Sequence, residues 1–338
     1  MKRQHVFFFF VGLLIFLYLI RPRHETYSED VPTVQFPFKN LFHQNGQKLN
    51  VILLAAPFRN EEHMQLYEKY KKRGLSFCGI SSYLSFPEAI DNPHEDTYHS
   101  KEKHDYTKMV SAWLHCFRTP SDKIKKLPHL LLAEADLKDV KSCIPEPGIQ
   151  KEYDFMYVCL DDNDKCLPGW QSYNRNWELA KKCLPLFAKQ GLKGLIIGRL
   201  NCDYDEEAHK EMVHKAYLPY HQFIREMQKC RWLFVPNVSD ASPRVITEAM
   251  CYDIPVLVNS AIFGGWNNVQ SGRTGEFFTD ETDVLPALEK MKIATYSPRK
   301  WYTEHRGKQV SGKALAQFLV QHYPSLNYSD LEVATISI

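Results

Sequence analysis

The densest run of chemistry-bearing residues lies at positions 231–259, RWLFVPNVSDASPRVITEAMCYDIPVLVN. It reads as an apolar strand, a polar loop, a helix, a short turn and a second strand. Ser242 and Pro243 stand where the helix opens. Proline suits a first helical turn because the N–H it lacks has no partner there. The free N–H groups of a helix start, together with the helix dipole, favour a bound anion such as a diphosphate. Asp240 stands at the mouth of this loop, and Glu248 lies five positions after Pro243. A carboxylate there can accept two hydroxyl hydrogen bonds, as from a ribose. Plainer roles exist for both: Asp240 as an Asx-type cap and Glu248 as a solvated helix carboxylate.

The elements that must position these residues alternate in α/β fashion. Residues 49–56 (LNVILLAA) form a continuous apolar run, the pattern of a buried parallel strand. A polar helix is expected over 61–73, closed by Gly74, followed by strands over 75–80 and 129–133. Between these strands, 106–117 spaces Met109, Ala112, Trp113 and Cys116 as a helix would, carrying His115 with it. A second unit opens near Tyr153. It has strands expected at 155–160, 191–198, 232–236 and 254–259, and helices at 176–189, 221–229, 243–251 and 283–291. This is the pattern of a doubly wound parallel sheet, whose ligand crevice lies at the carboxyl ends of its strands. An amphipathic helix over 313–322 ends the chain.

The N-terminus carries a targeting signal. Met1-Lys2-Arg3-Gln4-His5 precedes an unbroken apolar run of 15 residues, 6–20, followed by Arg21-Pro22-Arg23. At ~1.5 Å per residue the run is about 22 Å long, short against a hydrocarbon core of about 30 Å. Flanking Lys and Arg side chains can snorkel to lengthen it. No small-x-small cleavage site follows, so an uncleaved signal anchor is favoured over a signal peptide. The short basic tail points to a single-pass type II membrane protein of the Golgi or endoplasmic reticulum, its main part lumenal. The sequons Asn237-Val238-Ser239 and Asn327-Tyr328-Ser329 are consistent with that.

Composition excludes several classes. The chain has 338 residues, room for two modest domains, and a net charge of +2, which gives no electrostatic case for nucleic acid. None of the nine cysteines forms a C-x-x-C pair, which removes zinc-finger and thioredoxin readings. The odd count leaves at least one thiol outside any intrachain pairing.

With these residues in view, the 150–306 region resembles the group 1 retaining glycosyltransferases of the GT-B fold. That family carries E-x7-E followed by E-A-M-x-x-G-x-P-V. Here the pattern reads Asp240-x7-Glu248, then Ala249, Met250, Pro255 and Val256. Gly264-Gly265, Asn268-Val269 and the run Ser271 to Phe277 (SGRTGEF) follow in the family's order, as do Ser297 to Trp301 (SPRKW) and Glu304-His305. Two departures stand out: Asp240 replaces a glutamate, and Tyr252-Asp253 replaces the usual small-Gly pair.

The resemblance implies two Rossmann-like domains facing a cleft, after an N-terminal transmembrane anchor. The expected division is an anchor at 1–23, a stem at 24–48, an acceptor-side domain at 49–150, a nucleotide-sugar domain at 151–306, and a C-terminal helix and tail at 307–338. It implies Asp240 and Glu248 as the catalytic pair. Arg175, Arg199, Ser242, Pro243, Arg244, Glu248, Gly264 and Gly265 would bind the donor. Lys165 is an alternative to Arg175, which is preferred for its place just before a helix. No metal or cofactor is implied beyond the nucleotide-sugar substrate, and the cluster Asp161-Asp162-Asn163-Asp164 would need a different fold to hold one. The acceptor would be a glycan, glycoprotein or glycolipid. Two alternatives remain: an exostosin-like inverting transferase, and a non-catalytic membrane-tethered scaffold on a decayed transferase fold.

Overall fold

The computed structural model describes residues 31–83, 86–88, 104–124, 126–324 and 331–336. The expected anchor and the Asn327 sequon lie outside them. Among the described residues no helix is long and apolar enough to cross a membrane. From Val34 onward the chain forms one compact unit.

That unit holds two six-stranded sheets. The first has the order β12-β1-β2-β3-β4-β5. Its strands are β1 (Phe38–His43), β2 (Lys48–Leu54), β3 (Ser76–Ile80), β4 (Ala112–His115), β5 (His129–Leu131) and β12 (Ala334–Ile336). β2 to β5 pair in parallel, while β1 is antiparallel to both β2 and β12. The second sheet is all parallel in the order β11-β10-β9-β6-β7-β8. It comprises β6 (Tyr153–Val158), β7 (Gly194–Ile197), β8 (Met212–Lys215), β9 (Cys230–Val235), β10 (Val256–Asn259) and β11 (Gly275–Phe278). Strand order reverses between β6 and β9, which pair Phe155 with Trp232 and Tyr157 with Phe234. Such a switch point is where open α/β sheets leave a ligand crevice.

Among the described residues the helices of eight or more residues are α1 (Glu61–Lys72), α2 (Trp177–Lys189), α3 (Tyr220–Gln228), α4 (Arg244–Cys251), α5 (Val284–Ile293), α6 (Pro298–His305) and α7 (Gly307–His322). α1 forms where capping chemistry favours it. The Asn60 side chain accepts from His63 N at 3.1 Å, Glu61 and Glu62 fill the first turn, and Lys69, Lys71 and Lys72 the last. In α2, Trp177, Ala180, Cys183, Leu184 and Phe187 are buried, the i, i+3, i+4 stripe that packs on one face of the second sheet.

Three expectations are corrected. Residues 106–117 are not a helix: only Tyr106–Lys108 makes a helical turn, and Ala112–His115 is strand β4. All four of its residues are buried between β3 and β5, so the strand has no polar face and no alternation to betray it. Next, the expected stem at 24–48 contains β1, and the expected C-terminal helix and tail at 307–338 hold α7 and, beyond it, the strand β12. Both pack with the first sheet: β12 pairs with β1, and Leu315, Ala316 and Leu319 of α7 pack with Val51, Cys78 and Leu114. The chain therefore leaves the first sheet for the second and returns to it. Finally, the second sheet has six strands where four were expected, because β8 and β11 carry weak apolar patterns in only four residues each.

His115, at the carboxyl end of β4, is buried beside Phe117 and His129. Its Nδ1 accepts from Phe117 N at 3.2 Å. Burial first, and then the neighbouring His129, push its pKa down from 6.5 to about 4. A depressed histidine favours the fold fully above pH 6.5 and progressively less as pH falls towards 4. Replacing His115 by Gln should flatten the fall in the urea midpoint between pH 6.5 and 4; a variant with the wild-type slope contradicts this.

Candidate donor cavity at the helix tip

A cavity of about 360 Å³ opens at the switch point of the second sheet. Val158 of β6 and Leu233, Phe234 and Val235 of β9 form its floor. Arg175, Asn237, Asp240, Ser242, Arg244 and Glu248 supply polar groups, and Phe223 and Val245 close a side. Its size is within the roughly 300–1,000 Å³ of small-molecule sites.

The loop 236–243 delivers Asp240 and Ser242 to the tip of α4. Pro243 is the N-cap of that helix, one place earlier than its expected first-turn position. Asp240 Oδ1 accepts from Ser242 N at 3.2 Å, an Asx-type turn. Asp240 Oδ2 pairs with the Arg175 guanidinium and accepts from Asn237 Nδ2 at 3.3 Å. Asp240 thus shapes the loop and holds Arg175. Asn237 is 3% exposed, with its amide turned into this network, so this sequon offers no accessible side chain in the folded chain.

Glu134, which the sequence reading missed, reaches the same tip from the first domain. Its Oε2 pairs with Lys39 Nζ at 2.7 Å and with Arg244 Nη2 at 3.5 Å, while its buried Oε1 has no hydrogen-bond partner among the described residues. The signal was present: an acid directly after the strand in LLLAEADLK. Both cations that line the cavity are therefore already paired, Arg175 with Asp240 and Arg244 with Glu134. Each guanidinium has five N–H groups, so one edge can hold a carboxylate while another meets a ligand.

Glu248 lies just over one turn into α4 and is partly buried. Burial raises its pKa above the ordinary 4.5, against the opposing pull of Lys138, a Tyr220 hydrogen bond and Arg244. Lys138 Nζ donates to Tyr220 OH at 2.7 Å, and this pair was also absent from the sequence reading.

Four expected donor residues do not line the cavity, Pro243 among them as the N-cap of α4. Arg199 is 0% exposed and does not line the cavity. Its Nη2 pairs with Asp162 Oδ2 at 2.7 Å and its Nε donates to Cys159 O at 3.3 Å, so it braces the ends of β6 and β7. Gly264 and Gly265 face the loop, not the cavity. A Cβ on Gly264 would lie 1.8 Å from Ala241 O, and one on Gly265, whose φ is +74°, would lie 2.5 Å from Pro243 Cγ. They let the backbone pack directly behind Ala241 to Pro243. Lys165 lies outside the cavity, as does the 161–164 cluster, and among the described residues no group of three His, Cys, Asp or Glu is placed to hold a metal ion.

The departure at Tyr252-Asp253 has a backbone explanation. Asp253 takes φ +60°, the left-handed conformation that glycine usually supplies after a helix. Ile254 N donates to Ala249 O and Asp253 N to Met250 O, closing the end of α4. Aspartate is one of the few residues that visit this region routinely.

Contacts between the two sheets fix the tip in place. Ala135 N donates to Ser242 Oγ at 3.1 Å, and Tyr302 OH donates to Ala135 O at 2.9 Å. Asn268 Nδ2 donates to Asp136 Oδ1 at 2.8 Å, and Trp266 Nε1 to Cys116 O at 2.8 Å.

This architecture is similar to solved glycosyltransferase structures. The galactosyltransferase WaaB of the lipopolysaccharide outer core, in its apo form, matches over 80% of this chain and 75% of its own, with TM-score 0.54 and 13% identity. Sucrose-phosphate synthase from Thermosynechococcus elongatus matches over 81% and 74%, with TM-score 0.57 and 9% identity. Anabaena HepE in complex with UDP-glucose matches over 81% and 79%, with TM-score 0.53 and 12% identity. The fold is GT-B. At these identities the likeness is one of fold. No protein-family profile matches the sequence, and neither does any curated protein.

Gly264→Ala would force the backbone at 264 and the loop at Ala241 apart. It should destabilise the chain by about 1–3 kcal/mol, as overpacking does. Thermal and urea midpoints equal to wild type would show that Gly264 does not hold the loop.

Proposed function

We propose that this chain is a glycosyltransferase that moves a sugar, with retention, from a nucleotide-sugar donor to a glycan, protein or lipid acceptor. The observation that carries this reading is the cavity itself. Two arginines, a helix start and a half-buried carboxylate converge at the switch point of a GT-B sheet. HepE, of the same fold, was solved with UDP-glucose. The Asp240-x7-Glu248 pattern with Glu-Ala-Met supports retention.

In this reading the diphosphate lies at the tip of α4 between Arg244 and Arg175, and Glu248 accepts hydroxyls of the nucleoside ribose. The bond from the anomeric carbon to the diphosphate oxygen breaks. A bond from the acceptor hydroxyl oxygen forms on the same face, and the hydroxyl proton leaves with the diphosphate. Preorganised guanidinium and N–H donors stabilise the charge that develops on the leaving group. Asp240 acts through Arg175, holding its position. No metal ion is part of this scheme.

Lumenal exposure behind an N-terminal membrane anchor, in the Golgi or endoplasmic reticulum, completes the proposal. The Cys166–Cys202 disulfide supports it, since such bonds persist in oxidising compartments. The other seven cysteines are free and buried.

Three outcomes test the reading. The purified full-length chain, offered a panel of nucleotide sugars, should consume one donor class by transfer or slow hydrolysis. Glu248→Ala should lower donor affinity or turnover by about tenfold or more, the cost of losing charge-assisted hydrogen bonds. An unimpaired variant would sink the assignment. Glu248 must also be ionised to accept ribose hydroxyls, and its pKa is raised. Donor affinity should therefore fall on acidification already above pH 4.5, and Glu248→Gln should lose that dependence. A wild-type affinity flat down to pH 4.5 contradicts the role.

A further inference from the structure

A second cavity, of about 320 Å³, lies at the carboxyl ends of β6 and β7, walled by the loops 161–169 and 199–205 and the start of α2. Lys165, Ser172, Glu178, Lys181, Asn201 and Asp203 line it. It adjoins the donor cavity through one short segment. Ser172 and Trp177 face the second cavity, while Arg175 between them faces the first.

The walls are built to hold one shape. Cys166 and Cys202 are disulfide-bonded across the two loops. Asp162 Oδ2 accepts from Arg199 Nη2 at 2.7 Å and from Ser172 N at 2.9 Å. Asn163 Oδ1 accepts from Lys165 N at 3.1 Å and Leu167 N at 3.0 Å.

Backbone strain collects at the same place. Among the described residues four non-glycine positions have left-handed φ: Cys166 at +54° lines this cavity, Asn176 at +52° directly precedes the lining Trp177, and Arg199 at +53° stands two residues before the lining Asn201. Asparagine tolerates this region; cysteine and arginine adopt it only when the surroundings impose it, and such residues cluster at ligand sites.

The lining defines the ligand. Two lysines face two carboxylates, so the cavity has no net charge to attract an anion. Its side chains both donate and accept hydrogen bonds. At the rim, Leu167 is 57% exposed and Leu200 44% exposed, each next in sequence to a lining residue. Balanced donors and acceptors beside a small apolar edge suit a neutral polyhydroxyl ring with its C–H faces. We propose that this cavity is a saccharide-binding subsite, separate from the nucleotide cavity, that takes one or two neutral sugar units. Rigid walls lower the ordering cost of binding so small a ligand. The subsite does not depend on nucleotide binding, so it stands or falls separately from the transfer reading.

Saturation-transfer NMR on the full-length chain, with glucose, galactose, mannose, N-acetylglucosamine and their common disaccharides, tests it. At least one sugar should give a saturable signal that persists under saturating nucleoside diphosphate. That signal should fall at least about fivefold in Asn201→Ala/Asp203→Ala, while nucleoside-diphosphate affinity is unchanged. Should the double variant fail to fold, exposed Lys165→Ala serves in its place and should lower the signal in the same direction. No saturable signal from any sugar, a signal abolished by the nucleoside diphosphate, or one unchanged in the folded variant overturns the proposal. Sugar binding by a chain that binds no nucleoside diphosphate supports the subsite and refutes the transfer reading alone.

Discussion

The structure depends on how the tip of α4 is held between two sheets. A helix start alone is a weak electrostatic feature, within about 1 kcal/mol of neutral at a wet surface. Here it is fixed on three sides. Ala135 of the first domain donates to Ser242, the Gly264-Gly265 backbone packs behind Ala241 and Pro243, and Asp240 closes the loop in front. The end of α4 is fixed as well. Arg299 of α6 donates to Cys143 O at 2.8 Å and also bonds Cys251 O, tying the crossing between the domains to the last turn of the helix. A tip that cannot move gives its N–H groups a constant direction, which is what preorganised stabilisation of a departing charge requires.

Charge is arranged around that tip in pairs rather than as an excess. The cavity lining carries Arg175 and Arg244 against Asp240 and Glu248, and Glu134 adds a carboxylate from beside the first sheet. Glu134 keeps Lys39 at 2.7 Å while Arg244 stands at 3.5 Å, so Arg244 can turn towards a ligand without leaving Glu134 uncompensated. Burying a lone carboxylate would be costly, and the second cation removes that cost.

Much of the second domain was legible in the sequence, because its strands are short apolar runs bounded by turn residues and its helices carry caps and stripes. Asn176 before α2 and the 231–259 run could be read directly. The first domain was harder. β4 is buried on both faces and mimics helical spacing, and β1 and β12 join the sheet from distant ends of the chain, which no local pattern announces. Within the site, the tip residues followed from spacing. Pairings did not: that Asp240 would take Arg175, that Asn237 would turn inwards, or that Arg199 would brace buried carbonyls depends on contacts 37 to 65 residues apart or on a local turn. The glycines at 264 and 265 were expected to bind the donor; what approaches them is the loop, through Ala241 O and the Pro243 ring.

The most direct measurement is calorimetric titration of the full-length chain with nucleoside diphosphates and, in parallel, with the matching nucleosides. If the tip of α4 and its arginines form an anion site, one diphosphate should bind at least about tenfold more tightly than its nucleoside, and Arg244→Ala should erase most of that difference. Equal affinities for the two, or a difference untouched by the loss of Arg244, would contradict it.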